Sequence, residues 1–402
     1  MMRNNEDMIS RRRTLQTLAL TPLWPSAANS VTASALSSQL LQVVGERHKL
    51  LLRADGSVLG WGQARDGQLG LPADSTRGNA PLALPLPAPG VSVAAGDRSS
   101  LVALEDGSVL AWGSGPLLGQ ASFGRPPVAA QRLNGLKGVV QLVAHGHTAL
   151  ARLDDGRVLA WGSGSDGEFG DGRSANYGLQ NSSSPQWVPG VTGVVQISIG
   201  AGHVLALTNT GQVLSWGANA HGALGRGPRR ERPLDEPGRV EGLSDVIQVA
   251  AGNGVSGAIT RDGRVWVWGA NWHGQFGNGT RTDPPGPDHG FELTPQPVAG
   301  ISAAVALSLG LTGRHTLVRL RDGSLRGWGN SDWGQVGAGV KSSYQTKPVK
   351  LGLTDVVAVF AAGNNSFAER GDRSLWVWGA GGAGDWPLRL NSAVPVAMTL
   401  PR

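Results

Sequence analysis

The chain has 402 residues, a formal charge of +6 and no cysteine, which excludes disulfides, zinc–thiolate sites and thiol catalysis. Sixty-one glycines and fourteen tryptophans stand beside two tyrosines, six phenylalanines and 40% apolar residues, with no Gly-X-Y period; this describes packed strands and tight turns, not collagen or disorder. No apolar run is long enough to cross a membrane as a helix, and the basic block in the body of the chain, RGPRRERP at 226–233, sits beside Pro228 and Pro233 without interleaved aromatics, so nucleic acid is not an expected partner.

From Ser10 to Ala35 the chain resembles an export leader. Arg11, Arg12 and Arg13 precede a short, weakly apolar stretch, and small residues follow to Ala33-Ser34-Ala35, an A-x-A cleavage pattern. The segment resembles a twin-arginine signal, typically Ser-Arg-Arg-x-Phe-Leu-Lys, with Thr14 in place of phenylalanine and Gln16 in place of lysine. Residues 1–35 are therefore read as a signal peptide and 36–402 as one mature domain, periplasmic or secreted. The alternative is a disordered basic tail on a cytoplasmic protein. Absence of cysteine fits a chain that folds in a reducing cytoplasm before export, as the resemblance implies.

Next along the chain comes a repeat. Trp-Gly closes a short strand-like run seven times, at Trp61, Trp112, Trp161, Trp216, Trp268, Trp328 and Trp378, with spacings of 51, 49, 55, 52, 60 and 50 residues. Upstream of each lies a turn, as in DDGRVLAWG at 154 and RDGRVWVWG at 261. Further upstream is an apolar run such as VIQVAAGNGVSGAI at 246, and downstream a glycine loop leads to a Pro-x-Val-like segment such as TPQPVAG at 294.

Asp-Gly between alternating runs predicts a tight hairpin with both central residues at positive φ. In the strand that follows, side chains alternate, so tryptophan takes one face. Small or β-branched residues (Gly60, Ala111, Ala160, Ser215, Val267, Gly327, Val377) take the other, which lies close to something. Burying one tryptophan removes ~150–250 Å² from water, several kcal/mol at ~25 cal/mol/Å² before entropy. The glycine after it permits a bend or a close backbone approach. Each unit supplies about four antiparallel strands, too few to bury both faces alone. Seven stacked radially make an all-β, seven-bladed propeller, with a linear solenoid as the alternative. The last strand, VPVAMTL, could join the first blade or the last.

WGANWHGQFGNG at 268 and WGANAHGALGRG at 216 resemble the regulator of chromosome condensation repeat, as do the corners GERH at 45 and GAGH at 200. The resemblance covers about residues 39–400 and implies a seven-bladed propeller. Departures are the late glycine in GSGPLLGQASFG after Trp112, the missing turn in GAGGAGDWPLRL after Trp378, and Asp372-Arg373 in place of Asp-Gly. Ser99, Val255 and Ser366 are read at the corner-histidine position, and His147 of AHGHTAL as a corner histidine.

His221 and His273 share one repeat position, held elsewhere by Asp66, Asp166 and Trp333. Repeat equivalence places the two histidines on one rim, apart around the ring, so a shared metal is not expected. A varying polar or aromatic position on a fixed loop is what a binding face looks like. The candidate set is Arg65, Asp66, Asp166, Glu168, His221, Trp272, His273, Asp332 and Trp333; for each, an ordinary solvated loop residue is the plain alternative. Long loops beginning at 170, 225 and 278 suggest an enlarged sector around the fourth, fifth and sixth units. No nucleophile elbow, metalloprotease helix or phosphate loop with Lys-Ser/Thr is present.

No catalytic residue, cofactor or metal is therefore expected. The reading is a monomeric, exported, non-catalytic scaffold that grips a protein partner through rim loops. The resemblance implies two alternatives: nucleotide exchange on a GTPase, as the family member acting on Ran performs, and inhibition of an enzyme such as a β-lactamase. An unrecognised active site in the central channel is a further class.

Overall fold

A computed structural model of the chain describes residues 40–70, 77–119, 128–173, 181–219, 221–227, 235–282, 291–312, 314–381 and 391–400. Residues 1–35, expected to be a leader, most of the basic run at 226–233 and the tips of the three long loops lie outside the described residues. Seven four-stranded antiparallel sheets follow one another around a ring, each built from four consecutive strands. The fold is all-β: a seven-bladed propeller, interrupted among the described residues by one short 3₁₀ turn at Pro116–Leu118.

Blade 5 shows the frame. Its first strand, Val246–Ala251, pairs with Val255–Thr260, then Val265–Ala270, then the outer strand Phe291–Pro297. Antiparallel order puts the corner between the first two strands and the glycine loop before the outer strand on one face of the disc, here the loop face. The Asp-Gly turns and the linkers between blades share the other, the turn face.

The Asp-Gly turns differ from the tight two-residue form. Only glycine is left-handed: Gly56, Gly107, Gly156, Gly263 and Gly323 have φ of 75–82°. In the first turn the Gly56 N–H donates to the Arg53 carbonyl, so the loop is one residue longer. The aspartate keeps an ordinary φ because its Oδ1 accepts the N–H two residues on, as Asp55 does from Ser57 and Asp322 from Ser324. In blade 7 Arg373 occupies the glycine's place at φ 67°.

The glycine after each tryptophan is required. All seven have φ of 97–109°, and an added Cβ would lie 2.0–2.8 Å from the carbonyl oxygen just before the second strand. That oxygen accepts the N–H of the residue after the glycine, for example Ala270 to Gly254. The small residue before the tryptophan lies under the blade's own loop: Ser215 Oγ donates to the Leu224 carbonyl.

Each tryptophan packs across a seam rather than within its own blade. Trp268 of blade 5 joins Leu205, Leu207 and Val213 of blade 4 in one buried cluster. First strands are stitched by glutamines. Gln141 accepts from the Ile197 N–H and donates to its carbonyl, and Gln248 does the same with Leu307. Outer strands carry Pro81, Pro185, Pro295, Pro348 and Pro395, tolerated because an edge needs no further donor.

The last strand, Ser392–Met398, pairs within blade 7. The ring therefore closes by side chains. Trp61 meets Phe367 edge-on at 6.1 Å, and the buried Glu369 carboxylate accepts the Leu40 N–H at 2.8 Å.

Candidate functional site

The loop face is fixed by bonds that cross seams. The tryptophan indole N–H of one blade donates to a loop carbonyl of the blade before: Trp112 to Gln68, Trp161 to Leu117, Trp216 to Glu168, Trp268 to Ala223, Trp328 to Gln275 and Trp378 to Gln335. At three seams a histidine extends this. His203 Nε2 lies 2.9 Å from Ser256 Oγ, which donates to the same Ala223 carbonyl that Trp268 uses. His48 with Ser100, and His315 with Ser366, repeat the relay. Each serine donates to a carbonyl, so the histidine must carry its proton on Nε2. Burial drives His48 down to about 3 and His203 to about 4, which keeps both neutral.

The corner position faces the glycine after the tryptophan. In chain order it holds His48, Ser99, Thr148, His203, Val255, His315 and Asn365. Thr148, not His147, is thus the corner residue of blade 3, and Asn365, not Ser366, that of blade 7. His147 instead lies 4.0 Å from Asp97, and His145 lies 3.9 Å from Glu46. Burial, the main cause, lowers both histidines. Among the described residues no group of three or more His, Asp or Glu is placed to hold a metal.

The candidate set divides. Arg65 and Asp166 are exposed, and Asp66 is half-buried with Arg98 of blade 2 at 3.8 Å. Glu168 is not a rim group: it is 5% exposed, with Oε2 accepting the Asp166 N–H. Gln68, Gln275 and Gln335 make the same bond to the residue two before them, so Glu168 is a carboxyl in a glutamine's frame position. Burial first, then the Asp166 charge, push it up to about 7.

Blades 4 to 6 bring the remainder together. His221 of blade 4 packs edge-on against Trp272 of blade 5 at 4.4 Å and against Phe291 at 5.2 Å. The two histidines thus sit on adjacent blades, with Trp272, the residue before His273, packed against His221. His273 leans on Tyr344 of blade 6 at 5.8 Å, and the Arg281 guanidinium lies 3.9 Å from the centre of the same ring. Arg314 Nη1 donates to His273 Nε2 at 3.0 Å, while Asn330 lies 3.3 Å from Nδ1 and binds Asp332. Burial and the Arg314 charge lower His273, against the opposing pull of Asp332. Trp333 and Asp332 stand exposed beside this assembly.

Sequence reading missed Phe291, Tyr344, Arg281 and Arg314. Two come from outer strands and one from a corner, regions whose distance along the chain hides their contact. The long loops leave blades 3, 4 and 5, one blade earlier than expected, because an insertion after Trp161 belongs to Trp161's own blade.

Residues 118–399 match the RCC1-like domain, and residues 55–103 and 91–120 match the regulator of chromosome condensation (RCC1) repeat. The chain belongs to the RCC1 repeat family. It is 27% identical over 367 residues to the Arabidopsis thaliana ultraviolet-B receptor UVR8, covering 88% of this chain and 80% of that protein. It is 34% identical over 212 residues to the human E3 ubiquitin-protein ligase HERC2, covering 49% of this chain but only 4% of the ligase. Human WBSCR16 superposes with a TM-score of 0.73 at 22% identity, over 86% of this chain and 95% of that one. Yeast RCC1 (Prp20), solved bound to Kap60, superposes at 0.70 with 23% identity, over 94% and 90%. At those identities the structures establish the fold alone.

Proposed function

We propose that this RCC1-family propeller is an exported, non-catalytic scaffold that holds a protein partner on its loop face, centred on blades 4 to 6. One observation carries the reading. At a single frame position the backbone repeats while the side chain changes from Asp66 and Asp166 to His221, His273 and Trp333. Two of the changed residues, His221 and His273, enter aromatic and cationic contacts, and Trp333 stands exposed beside them. A fixed frame with varied outward groups supports recognition rather than folding. Export rests on the leader-like residues 10–35.

Affinity capture with the mature protein as bait tests the face. Changing Trp272, His273 and Trp333 to alanine is expected to abolish capture of the partner retained by the native bait; undiminished capture removes the face. Fractionation of the host tests export: an uncleaved cytosolic protein would favour regulation of a GTPase instead.

A further inference from the structure

The seam between blades 6 and 7 departs from the repeat at three exposed positions at once. Gly279 N–H donates to the Thr346 carbonyl, and Gly339 N–H to that of Ala393, so the two seams share one frame. In that frame Val394 stands where blade 6 has Lys347 and blade 5 has Thr294. Val340 stands where Thr280 stands, and Trp333 where Asp66, Asp166 or a histidine stands. All three replacements are apolar and all are open to solvent: Trp333 is 45% exposed, Val340 56% and Val394 51%. Val396, two residues further along the strand, is 39% exposed. The loop of blade 6 lies directly on this strand, since a Cβ on Gly334 would meet Ala393 Cα at 2.5 Å. Apolar side chains in open water contribute nothing to the fold that the polar residues of the other seams do not, and a contiguous exposed group of them marks a contact site.

We propose that Trp333, Val340, Val394 and Val396 form a docking site for a short segment of the partner protein, apolar on one side and acidic on its flank. The inference rests on the binding reading above and names a second contact for it. Three arguments fix the occupant. Four partly exposed side chains offer on the order of a few hundred Å², against ~800 Å² per partner for a standard interface, so a short segment fits and a second copy of this chain does not. Lys341 and Lys347 are exposed on the adjoining loop and strand, against one exposed carboxylate there, Asp332. Pro395 removes an edge N–H in the middle of the outer strand, so recognition runs through side chains and not by adding a strand.

The test is selection of random short peptides from a display library on the full native chain. The comparison is a variant carrying Trp333→Asp, Val340→Thr and Val394→Lys. These residues already occupy the same frame positions in other blades, so the variant should fold; its melting temperature and circular dichroism check this. Selected peptides should combine two or more apolar residues with an acidic flank, and should bind the variant about tenfold more weakly or worse. Lys341→Glu with Lys347→Glu should keep the apolar preference and lose the acidic one. Failure to select any peptide, equal binding by the variant, or peptides without acidic residues would overturn the proposal. So would retention on anionic lipid vesicles in place of peptides, or a dimer in sedimentation that the variant abolishes. If Trp272→Ala with His273→Ala ends partner capture while the blade 6–7 variant leaves it intact, the scaffold reading stands and this site falls.

Discussion

The two faces of the disc come from the same seven repeats but hold together differently. On the turn face six hairpins are closed by an aspartate, Asp55, Asp106, Asp155, Asp262, Asp322 and Asp372, each accepting the N–H two residues on. The seams there are crossed by backbone bonds, as the Val194 N–H donates to the Gly156 carbonyl and the Val246 N–H to that of Gly211. Hydrogen bonds from Ser108 hold Asp106 down at about 2 without help from another blade's core. On the loop face side chains cross the seams: a tryptophan indole N–H donates to a carbonyl of the blade before, and a histidine N–H to a serine hydroxyl of the blade after. The loop face, stitched by side chains, is also the face whose outward residues differ. Rigidity and variety are interleaved there residue by residue: Gln275 faces in while His273, two residues before, faces His221's neighbour and Tyr344.

Substitutions should separate crowded left-handed positions, such as the glycine after each tryptophan, from the roomy Gly211 of the turn face. The largest effect is expected at Gly269, where a Cβ would lie 2.3 Å from the Gly254 carbonyl oxygen. Gly269→Ala should cost about 3 kcal/mol or more, or prevent folding, as urea unfolding would show. Gly211 on the turn face, also left-handed but with its nearest neighbour 3.4 Å away, should accept asparagine for less than about 1 kcal/mol. Equal losses at the two sites would erase the distinction.

Glu168 gives the next effect, with a sign. Its folded pKa is raised to about 7 from 4.5, so the unfolded chain releases the proton first. Its contribution to stability is therefore fully present below about pH 4.5 and declines as pH rises to about 7. Glu168→Gln, which installs the residue of the other loops, should add about 2–3 kcal/mol at pH 8 and almost nothing at pH 4. Parallel stability–pH curves for the two proteins would contradict the buried placement.

Ser256→Ala removes the acceptor of the His203 N–H and should cost about 1–2 kcal/mol in thermal or urea unfolding. Across the next seam Val255 replaces the corner histidine, and the buried Thr316 hydroxyl has no hydrogen-bond partner among the described residues. Thr316→Val there should be neutral or gain up to about 1 kcal/mol. The smallest effect belongs to the turn face: Arg373→Gly relieves a left-handed arginine and should gain up to about 1 kcal/mol.

These positions also show what the sequence made legible. Asp-Gly, Trp-Gly and their period gave the strands, the blade number and the required glycines, because each signal is local. The seams were harder. His48 and Ser100 are 52 residues apart, and a strand's side chains alternate, so one residue of slip reverses a face. That slip placed His147 at the corner where Thr148 belongs. Glu168 was read as a rim group because its charge outweighed its column, although Gln68, Gln275 and Gln335 in that column mark an inward position. The assembly on blades 4 to 6 was half visible: the loop residues were, and the strand and corner residues that complete it were not.

Hydrogen–deuterium exchange of the native protein, alone and saturated with its captured partner, tests the central claim most directly. Protection should appear at residues 271–282 and 330–345 of the loop face and leave the Asp-Gly turns unchanged. Protection confined to those turns, with the loop face exchanging as in the free protein, would contradict it.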